Sequence, residues 1–150
     1  DYKDKKAAEI LSFSFGAENT INIGSITGGG AAGKATFQEL SVQFVGEPDM
    51  MPWLFEMLTT GAHVNDMVIE EASTNAITSK SGPSLKIDMR LVMMQNLQAV
   101  GTQGDRTIYN ATFQFGAVEI TTMKMDDTGK MVPASSYKWS QVKNNNSLEI

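Results

Sequence analysis

Cysteine is missing from all 150 residues, which removes a disulfide framework, a thiolate metal site and a thiol nucleophile together. Histidine occurs once, at His63, so an activated hydroxyl or an imidazole-rich metal site has almost nothing to be built from. Basic residues are outnumbered: 12 Lys and Arg against 17 Asp and Glu leave a net charge of −5, and no basic cluster overrides that average. Such a balance opposes phosphate backbones and anionic lipid, so nucleic acid is not an expected partner. The longest apolar runs, such as Leu91 to Met94, fall far short of the roughly 20 residues a membrane helix needs, and no membrane insertion is expected. The opening DYKDKKAAEI has no apolar core of a secretory signal, so export would need another route. DYKD also matches the start of a common epitope tag, from which Lys5 and Lys6 depart; residues 1–6 stay open between native and tag-derived.

What is present suits one domain over residues 1–150, since 41% hydrophobic content supplies one core but not two comfortable ones. A single stretch, Asp49 to Ala62, has helical period. Met51, Leu54, Phe55 and Leu58 share a stripe that Met50, Trp53 and Met57 widen, with Asp49 placed to cap, Pro52 in the first turn and Gly61 at the stop. Burying five such side chains is worth on the order of 10 kcal/mol before ordering costs.

Elsewhere the period is that of strands. Leu11, Phe13 and Phe15 alternate with Ser12 and Ser14. The Gly, Ser, Thr and Asn-rich residues 16–34 read as a long loop, and Thr36 to Phe44 as a strand in which Phe37 is out of phase, as in a bulge. A less defined strand falls within Val64 to Ala72. In the clearest one Leu85, Ile87, Met89, Leu91 and Met93 alternate with Lys86, Asp88 and Arg90; Val92 and Met94 suggest that its second half is covered on both sides. After the turn GTQGD, Tyr109, Ala111, Phe113 and Phe115 share a face, and Val118, Ile120 and Thr122 continue in the opposite phase past Gly116. The turn DDTGK leads to a last strand over Ser136 to Lys143 and a polar tail. About seven strands with one flanking helix predict a mainly β fold, a small antiparallel barrel or a sandwich.

Candidate chemistry is sparse. GGGAAGK at 28–34 fits the start of a phosphate-binding loop, but Ala35 stands where a hydroxyl should hold magnesium and strand period follows. His63, with Asp66 nearby, reads as a side chain meeting the carbonyl ends of the helix rather than as a ligand. The pairs Glu70-Glu71 and Asp126-Asp127 are adjacent, so on a strand their members point to opposite faces. No catalytic residue, cofactor or metal is expected, and no enzyme activity. Of the ten methionines, Met51, Met89 and Met93 fit core positions, whereas Met94, Met123 and Met125 fit an adaptable contact surface.

Taken in order, EILSFSFG, GGGAAGKATFQELSVQF, the apolar helix ending TTGAHV, SLKIDMRLVMM, GTQGDRTIYNATFQFGAVEI and VPASSYKWSQVKNNN resemble the haemolysin-coregulated protein (Hcp) family, the tube subunits of type VI secretion systems. The resemblance covers about residues 5–146 and rests on order and spacing, not on any one piece. The family begins with one more strand before the segment that reads DYKDKKAAE, so that strand is missing or replaced, and PDMMPWLF opens the helix with unusual bulk.

The resemblance implies a small β-barrel of two curved sheets with one flanking helix at about residues 50–60, assembled as homohexameric rings that stack into a tube. It implies spike and sheath or baseplate proteins as partners, and secreted effectors held or chaperoned in the lumen. It places the protein in the bacterial cytoplasm before firing and outside it afterwards, or in a target cell, without a cleaved signal peptide. The loop offers a candidate ring-stacking set in Asn19, Thr20, Ser25, Thr27, Gly28, Gly29, Gly30 and Lys34, and the helix offers Trp53 and Glu56 as candidate subunit contacts. A stand-alone β-sandwich binding module for carbohydrate or protein is the alternative, and it would be a monomer.

Overall fold

Eight strands and one helix form among residues 7–21, 32–47, 49–72 and 82–150, the parts of the chain that the computed structural model describes. In chain order they are β1 (Glu9–Ser14), β2 (Ala17–Ile21), β3 (Ala32–Phe37), β4 (Leu40–Val45), α1 (Met50–Thr60), β5 (His63–Ala72), β6 (Pro83–Val100), β7 (Ile108–Met125) and β8 (Met131–Ser140). The fold is mainly β with one helix, as the periodicity predicts. Six strands are hydrogen-bonded in the order β1-β4-β7-β6-β5, with β8 also on β7, while β2 and β3 make a separate two-stranded ribbon. No pairing among the described residues joins β1 to β5 or β8, so the sheet is open where a closed barrel was expected.

Two compact units divide the chain. The first contains residues 1–62 and 93–114, the second residues 63–92 and 115–150. In the first, β4 pairs antiparallel with β1 on one side and with the opening of β7 on the other, from Leu40 opposite Phe113 to Val45 opposite Ile108. Leu40, Val42 and Phe44 alternate inward from β4, and Tyr109, Ala111 and Phe113 from β7, so period two places six apolar side chains in one core. The ring of Phe44 stacks on Tyr109 at 5.4 Å.

Three expectations are corrected here. Thr36 to Phe44 is not one bulged strand: the chain breaks at Gln38-Glu39, and Phe37 ends β3, where it stacks on Phe15 at 5.9 Å. Residues 16–34 are not wholly loop, because small polar residues at both ends pair as β2 and β3, Ala17 opposite Phe37 and Ile21 opposite Ala32. The inward side chains of β1 are Ile10 and Phe13; a register shift between Ile10 and Ser12 makes Leu11 the extra, exposed residue.

The helix keeps its boundaries but turns its stripe. Met50, Leu54 and Met57 are buried, Trp53 and Leu58 are half-buried, and Met51 and Phe55 face outward. The spacing i, i+4, i+7 is kept, shifted by one residue, so the amphipathic pattern gave the element and misjudged its rotation. Three buried side chains here contribute about 5–9 kcal/mol of transfer free energy before entropy is charged. Asp49 stands at the N-cap without a side-chain capping bond, whereas Gly61 ends the helix in the left-handed region at φ 67°. The last turn carries no basic residue, and His63 opens β5 as an exposed side chain instead of meeting the helix end.

In the second unit β8 pairs antiparallel with β7, from Ala117 opposite Ser140 to Met125 opposite Met131. The DDTGK segment makes the connection: Asp126 N–H donates to Lys130 O at 2.9 Å, Gly129 N–H to Asp126 O at 3.0 Å, and Gly129 takes φ 82°. The last strand therefore starts and stops earlier than expected, and the polar tail folds back to a bridge between Ser140 and Asn145. Ser140 is buried, a position sequence reasoning assigned only to a strand.

Both long strands change phase. In β6 the buried set runs Ile87, Met89, then Val92, Met94, with Leu91 at φ 51°, so Met93 is exposed and not in the core, and the second half is not covered on both faces. In β7 it runs through Phe115, Ala117 and Val118, the switch that Gly116 predicts. Leu91 and Gly116 are neighbours: a β-carbon on Gly116 would lie 3.3 Å from that of Leu91.

Candidate functional site

The candidate contact features are of three separate kinds: strand edges, one helix face and the β2–β3 ribbon. On the helix, Met51 and Phe55 follow one another at a spacing of four, so their side chains lie on one face, 36% and 40% exposed. Glu56 is exposed beside Phe55, and Trp53 is half-buried, so of the two predicted contact residues Glu56 is the freely available one. The hydroxyls of Thr59 and Thr60 turn back onto the helix, donating to Phe55 O at 2.8 Å and Glu56 O at 2.7 Å. They therefore leave the apolar pair unobstructed by a polar network of its own. Sequence reasoning placed Met51 and Phe55 inside because the heptad spacing fits two adjacent stripes equally well, and only packing chooses between them.

In the ribbon, Asn19 is exposed on β2 opposite Ala35, Thr20 lies in the same strand, and Lys34 lies in β3. The ribbon carries these three at its two ends of chain, while Ser25, Thr27, Gly28, Gly29 and Gly30 fall outside the described residues. Because β3 is a strand, no helix N-terminus follows the GGGAAGK segment, in agreement with the rejection of a phosphate-binding loop.

The second unit presents two strands with long exposed runs. On β5, Ile69 is buried while Asp66, Val68, Glu70 and Glu71 are exposed. On β8, residues Pro133 to Lys138 are exposed in succession, on both faces. Pro133 lacks an N–H donor, a common guard on an edge strand. Facing side chains on β7 and β8 hold one another: Ser136 Oγ donates to Glu119 Oε1 at 2.8 Å, and Lys138 Nζ lies 3.6 Å from the same oxygen. Across β5 and β6, the Arg90 guanidinium bonds to the Asp66 carboxylate and lies 3.5 Å from Asp88 Oδ1. These charges are partnered on exposed faces and contribute register more than stability.

Among the described residues no group of three or more His, Asp or Glu side chains could hold a metal ion. The one clear ionisation shift among the described residues belongs to Asp126, whose carboxylate accepts from Thr128 Oγ1, from Lys130 N–H and from Thr128 N–H and is held below the ordinary carboxylate range. That is a turn stabilised by an anion. No helix among the described residues is long and apolar enough to cross a membrane.

These features define a mainly β protein whose described surface presents strand edges and exposed apolar side chains. The family model for the type VI secretion system effector Hcp matches residues 1–122, and the chain belongs to that family. No curated protein matches the sequence. Among solved structures, one titled as a type six secretion system protein aligns over 96% of this chain and 95% of its own at 21% identity, with a TM-score of 0.80. Hcp1 from Salmonella typhimurium aligns over 98% and 89% at 16% identity and TM-score 0.68. A type VI secretion system effector from Yersinia pestis aligns over 89% and 83% at 11% identity and TM-score 0.63. At these identities the likeness is one of fold, and it extends over nearly the whole chain.

Proposed function

We propose that the chain is a structural tube subunit of a type VI secretion system and not an enzyme. Six copies close head to tail into a ring, rings stack into a tube, and the tube is expelled from the bacterial cytoplasm into the medium or a target cell, with effectors carried or chaperoned in its lumen. Spike and sheath or baseplate proteins are its other partners. In this reading residues 1–150 act as one tube domain, the ribbon and the chain between its strands make the contact from ring to ring, and the outer face of α1 meets a neighbouring subunit.

The observation that most supports the reading is an open sheet, with strand edges unpaired among the described residues, in a chain whose helix α1 keeps Met51 and Phe55 outside its own core. Head-to-tail contact between unlike surfaces closes into a ring when the rotation permits. Negative-stain microscopy of the purified protein tests it directly. Doughnut-shaped particles, with a light-scattering mass six times the 16.3 kDa of one chain, are the expected result. A monomer by both methods would favour the binding-module alternative and sink the tube reading.

A further inference from the structure

Past β8 the chain reverses at Asn144, which takes φ 53°, and returns along the strand it has just left. What holds this return is almost wholly polar. Gln141 N–H donates to Gly116 O at 2.8 Å, and Gln141 Nε2 donates to Phe115 O at 2.7 Å. Ser140 closes the loop from the other side: its N–H donates to Asn145 O at 2.9 Å, its hydroxyl donates to Glu149 O at 2.6 Å, and the same oxygen accepts from Lys143 N–H at 3.0 Å. One fully buried serine thus gathers three points of the tail, two of them through its hydroxyl and one through its N–H.

The place where this happens is set by β7. That strand pairs with β4 through Phe113 and with β8 from Ala117 onward. The carbonyls of Phe115 and Gly116, between the two ladders, are the ones Gln141 takes. A buried carbonyl must find a donor, and here one side chain and its own backbone supply two.

The apolar part of the contact is thin. Val142 and Ile150 rest at Gly116, where an added β-carbon would meet Ile150 Cδ1 at 3.0 Å and Val142 Cγ2 at 3.2 Å, yet these side chains remain 54% and 45% exposed. Leu148 is only half-buried, and residues 143–146 are exposed. Segments with few buried apolar contacts open locally at low free energy. When this one opens, the Ser140 hydroxyl and the two β7 carbonyls meet water as soon as they lose their partners, so none is left buried and unpaired.

We infer that residues 141–150 form a strap, latched by Ser140 and Gln141 onto β7 at Gly116, that opens as a unit while the β7–β8 ladder stays closed. The strap is a conformational device of the subunit itself and does not rest on the tube reading. Opening bares the Phe115 and Gly116 carbonyls and the end of β8, so the closed strap governs access to that stretch of sheet.

Hydrogen exchange followed by mass spectrometry on the full chain, in whatever assembly it adopts, reads the opening. The peptide carrying residues 141–150 is expected to exchange at least about a hundredfold faster than the peptide carrying residues 116–125, with little dependence on denaturant, as for local opening. Ser140→Ala and Gln141→Ala each remove bonds at the latch and should speed tail exchange about tenfold, leaving the 116–125 peptide unchanged. Gly116→Ala keeps both latch residues and pushes hardest against Ile150 and Val142, with Leu91 of β6 next at 3.3 Å; it should loosen the tail more than the 116–125 peptide, with earlier trypsin cleavage at the exposed Lys143. Tail and 116–125 peptides exchanging at one rate with one denaturant dependence would overturn the inference, as would variants that speed neither peptide or accelerate both equally.

Discussion

Gly46 lies directly under the ring of Tyr109: a β-carbon at that position would collide with Cε2 and stand 2.9 Å from Cδ2 and 3.1 Å from Cζ. The ring cannot retreat, because it is buried and stacked on Phe44. Gly46→Ala is therefore expected to lower stability by about 1–3 kcal/mol through overpacking, read as a lower midpoint in chemical denaturation. Tyr109→Leu in the same chain should recover part of the loss, whereas additive losses would place the clash elsewhere.

On α1 the two faces should respond oppositely. Leu54→Asp puts an unpaired charge among buried side chains and is expected to abolish folding, seen as lost near-ultraviolet circular dichroism. Phe55→Ser and Glu56→Ala change exposed positions; each should leave melting within about 0.5 kcal/mol of the parent, with assembly weakened more by Phe55→Ser. Loss of soluble protein from Glu56→Ala would mean that the faces are reversed.

Asp126 sets a pH dependence whose sign is fixed by its hydrogen bonds. Its carboxyl is held below the ordinary value in the folded turn, so its contribution is complete above the unfolded value near 3.8 and is lost as pH falls through the lowered folded value. Thr128→Ala removes the largest cause and should move the carboxyl titration, followed by NMR, upward toward the ordinary range. An unmoved titration would assign the shift to the backbone donors alone.

Deleting Gly28 to Gly30 shortens the chain between β2 and β3 without touching either paired strand. Rings without tubes, counted by electron microscopy, are the expected outcome. Normal tubes would remove this segment from ring stacking.

The elements were legible where one period dominates. The inward faces of β4 and the first half of β7, the Gly116 switch, the DDTGK turn and the Gly61 stop all follow from spacing and turn chemistry. Rotation about an element's axis was not: of the wide apolar stripe only Met50, Leu54 and Met57 are buried, while Met51 and Phe55 face outward, because the residues on both sides are apolar and the sequence does not say which of them meet the core. Irregularities without glycine were also hidden. Leu11 and Leu91 are ordinary strand formers, and nothing local marks them as the residues at which β1 shifts register and β6 changes phase. Of the contact residues proposed, Glu56 and Asn19 are exposed, Trp53 is half-buried, and Ser25 to Gly30 lie outside the described residues.

The pairing of β4 with β7 also sets a timetable for synthesis. Gln43 donates to Asn110 across 67 residues of chain, and β4 meets no part of β7 until those residues have been made. At ribosomal rates of roughly 5–20 residues per second that interval lasts about 3–14 seconds, during which Leu40, Val42 and Phe44 lack the strand that will cover them. Until β7 is made, the β4 edge that it later claims is an unpaired template, and the time that edge stays open is set by the length of chain between the two strands.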